Sequence, residues 1–370
     1  MKILSIVGAR PNFIKLGPLS KEIRKEHEEI IVHTGQHYDH EMSKLLFEDL
    51  AIPEPDYNLG INQGTTLEQV SRMSTEMSKL LLELKPDLTI AYGDTSSTVA
   101  GAMASIYCKI PCAHVEAGPR NKSIAIYEML NRLIVDRICS LLFCATRFNL
   151  QTLESEGLGG HSYFVGDQMY DAYLQNKELA MKHRSKLKEL GLQEGGYHIA
   201  TCHRAETTDV KERLSTVVNS FIKSEKPILF PIHPRTEKML KRFGLYDAVE
   251  NSDNIVVSKP LGYLDFLMYG TLADKVITDS GGVQREGFFM GKPCIVIYDE
   301  SAWPEIERAR WMTVTGLDEA NITEAINNFQ LPKEEKPDIF GKGDASKKTL
   351  EIIENFDLTN WDKYDGFAHQ

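Results

Sequence analysis

At 370 residues, 42% hydrophobic and 26% charged, the chain is long enough for two well-packed domains and has the balance of an ordinary soluble enzyme. A formal charge of −11 works against general attraction to nucleic acid or to an anionic membrane surface. No segment approaches the roughly 18 apolar residues of a membrane span, and the first apolar run is too short for a signal peptide, so a cytoplasmic protein is expected.

Short β-rich runs alternate with helical patterns in chain order. "KILSIV" precedes an amphipathic stretch from about Ile14 to Arg24, followed by "EIIVHT". Then come the helical "TLEQVSRMSTEMSKLLLEL", the strand "DLTIAY", a helix from Ser97 and the strand "PCAHV". The pattern resumes with "YHIATC", "PILFPI", "NIVVS", "KVITD" and "KPCIVI", with helices between them. Such alternation predicts parallel sheets covered on both faces. The strands are too many for one sheet, and "YFVGDQMYDAYL" (163–174) ends a strand and opens a charged helix. We therefore expect two similar α/β domains, 1–166 and 167–355, with residues 356–370 fraying or returning to the first domain as a final helix. The six cysteines (108, 112, 139, 144, 202, 294) form no C-x-x-C pair, which predicts buried free thiols and no metal site.

In open parallel sheets, ligands bind beyond the carboxyl ends of the strands, and distinctive polar groups fall there. Arg10 follows the first strand, Asp94 follows "DLTIAYG" and Glu116 follows "PCAHV". In the second half His203 follows "YHIATC", His233 follows "PILFPI", and Ser280, Gly281 and Gly282 follow "KVITD". Two strand-end faces opposed across a cleft would gather all of them. Each also has a plainer reading. Asp94 with Thr95 and Ser96 reads as a helix cap, Glu128 as a first-turn acid favoured by the helix dipole, His203 as a satisfied loop histidine, and Gly-Gly as a tight turn. "DSGGVQREGFFMGKP" is the most informative stretch. Its Ser-Gly-Gly opens a helix straight after a strand, where free N–H groups suit a phosphate, and Glu286 one turn on suits a ribose diol. It is neither a P-loop nor G-x-G-x-x-G. "GARPNFIK" supplies a second Gly-containing turn with two cations, Arg10 and Lys15.

The ordered series "GARPNFIK", "HTGQHYD", "YGDTSST", "HVEAGPR", "NR", "HRAE", "HPR", "PLGYLDF" and "DSGGVQREGFFMGKP" resembles the non-hydrolysing UDP-N-acetylglucosamine 2-epimerases from residue 3 to about residue 315. The resemblance implies a GT-B fold of two Rossmann-like domains and interconversion of UDP-N-acetylglucosamine and UDP-N-acetylmannosamine without a cofactor. It implies Asp94, Glu116, Glu128 and His203 as catalytic residues. Arg10, Lys15, His203, His233, Ser280, Gly281 and Gly282 match UDP-binding positions, Glu286 the ribose position, and Phe266 the vicinity of uracil; Arg120, Asn131 and Arg132 join them on the UDP-sugar. A homodimer is common in this family. "YEMLNR" stands where the family usually has Pro-Glu-Glu-x-Asn-Arg, so Tyr127 and Met129 replace the proline and the second glutamate, and Pro119 stiffens the loop before Arg120. Gln36 and His37 agree with the pattern of a second UDP-sugar site, while Glu41 stands where an amide is common. "ESAWPEI" with Trp303 is closer to the branch acting on diacetamido uronic acids and 6-deoxy amino sugars. A GT-B glycosyltransferase and a non-catalytic UDP-sugar-binding protein stay open as alternatives.

Overall fold

The computed structural model describes residues 1–36, 46–47, 49–120, 123–124 and 126–361. Among them the strands form two wholly parallel sheets. The first runs in the order β3-β2-β1-β4-β5-β6-β7, built from Lys2–Val7 (β1), Glu28–His33 (β2), Tyr57–Asn58 (β3), Leu88–Tyr92 (β4), Cys112–Val115 (β5), Leu141–Cys144 (β6) and Ser162–Phe164 (β7). The second runs β10-β9-β8-β11-β12-β13, from His198–Thr201 (β8), Ile228–Pro231 (β9), Ile255–Ser258 (β10), Val276–Thr278 (β11), Cys294–Val296 (β12) and Met312–Val314 (β13).

Helices cover both faces of such sheets, so the central strands read as continuous apolar runs rather than alternating ones. β4 is buried at all five positions and β5 at all four. Local signals set the helix ends. Thr65 caps the helix Thr66–Leu84 reciprocally with Glu68, the Thr65 N–H donating to Glu68 Oε2 at 2.6 Å while Thr65 Oγ1 accepts from the Glu68 N–H at 3.3 Å. Strand order reverses direction between β1 and β4 in one sheet and between β8 and β11 in the other. A crevice opens at such switch points, because successive crossovers leave on opposite faces.

The chain divides into two compact units, Met1–Gln175 with the chain from Asp338 onward, and Asn176–Pro337. The sequence places the division at 166/167. In the structure residues 167–175 stay with the first unit because they fasten to its last helix, Ala345–Asn355. Asp171 accepts that helix's first N–H groups, from Ala345 at 3.2 Å and Ser346 at 2.7 Å, and Gln168 Nε2 donates to Thr349 Oγ1 at 2.9 Å. The helix that returns to the first unit is thus Ala345–Asn355. Residues 356–361 are not helical, and 362–370 lie outside the described residues, as do His37 and Glu41.

Candidate active site

In the first unit the switch point is braced by Asn12, in the first turn of the helix Arg10–Ile23. Its Oδ1 accepts from the N–H groups of Gly8 (3.2 Å) and Ala9 (3.0 Å), and its Nδ2 donates to the Tyr92 carbonyl at 2.7 Å. The ends of β1 and β4 are thereby locked together. Gly93 turns the chain at φ +70, and a Cβ there would stand 3.1 Å from Lys15 Nζ. That approach lets Lys15 pass beneath the turn.

Lys15 Nζ lies 2.9 Å from Glu116 Oε2, with both side chains buried. The other Glu116 oxygen pairs with Arg132 Nη2 at 2.7 Å, and the same Nη2 is 2.7 Å from Asp94 Oδ2. Two acids and two bases therefore alternate, Lys15–Glu116–Arg132–Asp94, and compensate one another. Asn131 Nδ2 adds a bond to the Asp94 carbonyl at 2.8 Å. Glu116 itself sits at φ +74, a left-handed backbone on a non-glycine residue. Such a conformation costs on the order of 1–3 kcal/mol and persists only where the surroundings impose it. Here the N–H groups of Glu116 and Ala117 both donate to the Phe143 carbonyl, at 3.1 and 3.0 Å.

Glu128 is exposed in the first turn of the helix Tyr127–Ile138 and makes no ion pair among the described residues. Helical spacing sets it one turn before Asn131 and Arg132, on their face. Arg10 is half-buried and likewise makes no ion pair among the described residues. Arg120, expected on the UDP-sugar, is engaged within its own unit. It donates to Asp136 Oδ2 at 2.7 Å, to Glu156 at 2.8 and 3.0 Å, and to the Pro119 carbonyl at 2.9 Å. Gln36 caps the helix Ser96–Tyr107, its Oε1 accepting from the Ser97 N–H at 3.0 Å and the Ser97 hydroxyl at 2.7 Å.

In the second unit the fully buried Asp279, just after β11, pins the loop after β8. Its Oδ2 accepts from the N–H groups of His203 and Arg204, each at 2.8 Å. His203 Nδ1 stands 3.7 Å from the other carboxylate oxygen, too long for a hydrogen bond. The His203 and His233 rings lie 5.6 Å apart. His233 caps the helix Pro234–Phe243, its Nδ1 accepting from the Arg235 N–H at 3.2 Å. Ser280 caps the helix Gly281–Phe289 with an extended backbone, and its hydroxyl is not used in the cap. The loop after β12 fastens this turn: Trp303 Nε1 donates to the Gly281 carbonyl at 2.9 Å, and the Ala302 N–H donates to Gln284 Oε1 at 3.1 Å. The Arg285 guanidinium lies 4.3 Å over the Trp303 ring. The first N–H groups of that helix and its dipole are aimed where an anion can be received. Glu286 is buried one turn further in. Phe266 is 6% exposed, so its ring serves the core of the unit.

The family model described as UDP-N-acetylglucosamine 2-epimerase matches residues 21–354. The chain belongs to this family of isomerases. It is 44% identical over 356 residues to a UDP-N-acetylglucosamine 2-epimerase homolog of Methanococcus maripaludis, covering 96% of this chain and 100% of that one. It is 38% identical to a UDP-2,3-diacetamido-2,3-dideoxy-D-glucuronate 2-epimerase of Pseudomonas aeruginosa, covering 95% and 99%. The crystal structure of Methanocaldococcus jannaschii UDP-GlcNAc 2-epimerase in complex with UDP-GlcNAc and UDP matches with a TM-score of 0.90 at 36% identity, covering 96% and 100%. The two parallel sheets accordingly form a GT-B-like α/β fold. Among the described residues no helix is long and apolar enough to cross a membrane, and no group of three or more His, Cys, Asp or Glu could hold a metal ion.

Sequence reasoning missed Asn12, Asp279 and Asp136, which hold the site without lining it. Asn12 and Asp279 sit inside quoted motifs, and their signal is position: one opens a helix and the other ends a strand.

Proposed function

We propose that the protein is a non-hydrolysing 2-epimerase that interconverts UDP-N-acetylglucosamine and UDP-N-acetylmannosamine for cell-surface polysaccharide precursors. The observation that carries this reading is the pair of carboxylates, Asp94 and Glu116, joined by one guanidinium of Arg132 at the switch point of the first sheet. The proton on C2 of an N-acetylhexosamine is not acidic. Departure of UDP changes that. As the C1–O bond breaks, its electron pair leaves on the β-phosphate, positive charge builds at C1, and the C2 proton passes to a carboxylate while the C1–C2 double bond forms. The products of this half are UDP and a 2-acetamidoglucal. In the return half a proton is delivered to the opposite face of C2 and a β-phosphate oxygen bonds to C1.

Two proton transfers on opposite faces need more than one acid–base group. Asp94, Glu116 and Glu128 share them in this reading. Negative charge on the departing diphosphate calls for fixed donors, a part we assign to Arg10, His203, His233 and the turn Ser280–Gly282, with Glu286 on the ribose. The reading extends to a cytoplasmic homodimer; a monomer mass in light scattering would remove that part alone.

A second substrate has a specific observation in its favour. The Pseudomonas aeruginosa relative, whose name specifies a 2,3-diacetamido glucuronate, is as similar as the Methanocaldococcus jannaschii enzyme. The deciding experiment is proton NMR of the purified protein with each UDP-sugar in D₂O. Loss of the C2 proton signal with appearance of the epimer is expected, and the sugar that exchanges fastest is the substrate. Asp94→Asn, Glu116→Gln and Glu128→Gln should each slow exchange by about 10²–10⁴-fold with UDP still bound. UDP binding without exchange for any UDP-sugar would return the glycosyltransferase and binding-protein readings.

A further inference from the structure

Behind the two acids lies a buried charge network that proton transfer at C2 does not use. Asp136, on the helix Tyr127–Ile138 and one turn beyond Arg132, is 0% exposed. Its Oδ1 accepts from His114 Nδ1 at 2.6 Å, and its Oδ2 accepts from the Gly118 N–H at 3.2 Å and from Arg120 Nη1 at 2.7 Å. Across the ring, His114 Nε2 donates to the Gly93 carbonyl at 2.6 Å. Burial by itself raises the Asp136 carboxyl, but the bond from His114 and the charge of Arg120 outweigh it and hold the group below the usual carboxylate range. Asp136 is therefore an ion and accepts. A carbonyl oxygen can do nothing else. The two ring nitrogens of His114 thus tie the Asp136 carboxylate to the Gly93 carbonyl, one on each side of the imidazole.

The network touches every segment that carries a proposed acid. Gly93 precedes Asp94. His114 stands two residues before Glu116, and Gly118 two residues after it. Asp136 shares its helix with Glu128, Asn131 and Arg132. Glu116, with its left-handed backbone, is thus held from both sides. Stability alone does not call for charge here, since buried ion pairs are often replaced by apolar groups without loss.

We propose that His114 and Asp136 are positioning residues for the epimerase reaction, fixing the Gly93–Asp94 turn against the Glu116 backbone and so the two carboxylates against each other. This rests on the reading of the site given above. In the full-length protein, Asp136→Asn and His114→Gln separate positioning from folding. For folded variants kcat should fall by about 100-fold while KM and the UDP dissociation constant stay within about threefold, and Asp136→Glu should restore part of kcat. Wild-type kcat in the folded variants, or a fall matching only the unfolded fraction, overturns it. Should the wild type exchange no C2 proton, the functional reading fails separately. A crystal structure of Asp136→Asn then decides: displacement of the Glu116 backbone from its left-handed conformation supports positioning, and an unmoved backbone refutes it.

Discussion

Replacing Lys15 by methionine removes a charge while keeping most of the stem that carries it. Lys15 Nζ and Glu116 Oε2 are 2.9 Å apart, with side-chain exposures of 3% and 5%, so neither charge is dissolved in water. At an effective dielectric of about 20 that separation corresponds to about 6 kcal/mol of attraction. Desolvation of the two ions cancels much of it. In Lys15→Met, Glu116 loses its lysine and shares Arg132 with Asp94, and the cluster passes from two acids and two bases to two acids and one. The expected cost is about 2–3 kcal/mol, below the roughly 3–5 kcal/mol of a buried ion left wholly unpaired. Adding Glu116→Gln removes the surplus charge, so the double variant should be more stable than Lys15→Met by about 1–2 kcal/mol. Urea unfolding of the wild type, the two single variants and the double variant completes the cycle. A coupling energy within about 0.5 kcal/mol of zero would refute the argument, because it would mean that Glu116 does not sense Lys15.

Trp303→Phe keeps a smaller ring beneath Arg285 and deletes the N–H that holds the Gly281 carbonyl. The lost hydrogen bond, about 0.5–1.5 kcal/mol, is one of two that fasten the proposed phosphate turn, so UDP affinity measured calorimetrically should fall by roughly two- to tenfold; unchanged affinity would show that the turn does not depend on it. His198, at the start of β8, has its ionisation pushed down to about 4, chiefly by burial, with Asp274 at 3.7 Å opposing in part. Below the ordinary value of 6.5 the unfolded chain takes up a proton that the native ring refuses. Stability from this group should therefore fall between pH 6.5 and 4, by about 3 kcal/mol at most. His198→Gln should flatten that part of the stability profile, and an unaltered slope would assign it to other groups.

The sequence by itself determined the fold class and the addresses of the site. Alternation of apolar strands with amphipathic helices leaves only parallel sheets, and parallel strands bring their carboxyl ends to one edge. Asp94, Glu116, His203 and Ser280 could be read there because each lies within two residues of a strand's end. Short strands such as Leu141–Cys144 were not legible, since four apolar residues carry no period that separates strand from helix.

Pairing was decided only by the tertiary structure. Lys15, matched to UDP in the sequence, lies against Glu116, and Arg120 lies against Asp136 and Glu156. Phe266 sits in a helix that is apolar nearly all round, so nothing local says which side the core will take. Asp136 reads as one more acid on a helix surface, yet it is fully buried. The reason is common to all four. A side chain's type and chain position follow from the sequence, but its partner follows from how a helix is rotated on its sheet and from local backbone such as the left-handed Glu116 at the end of its strand.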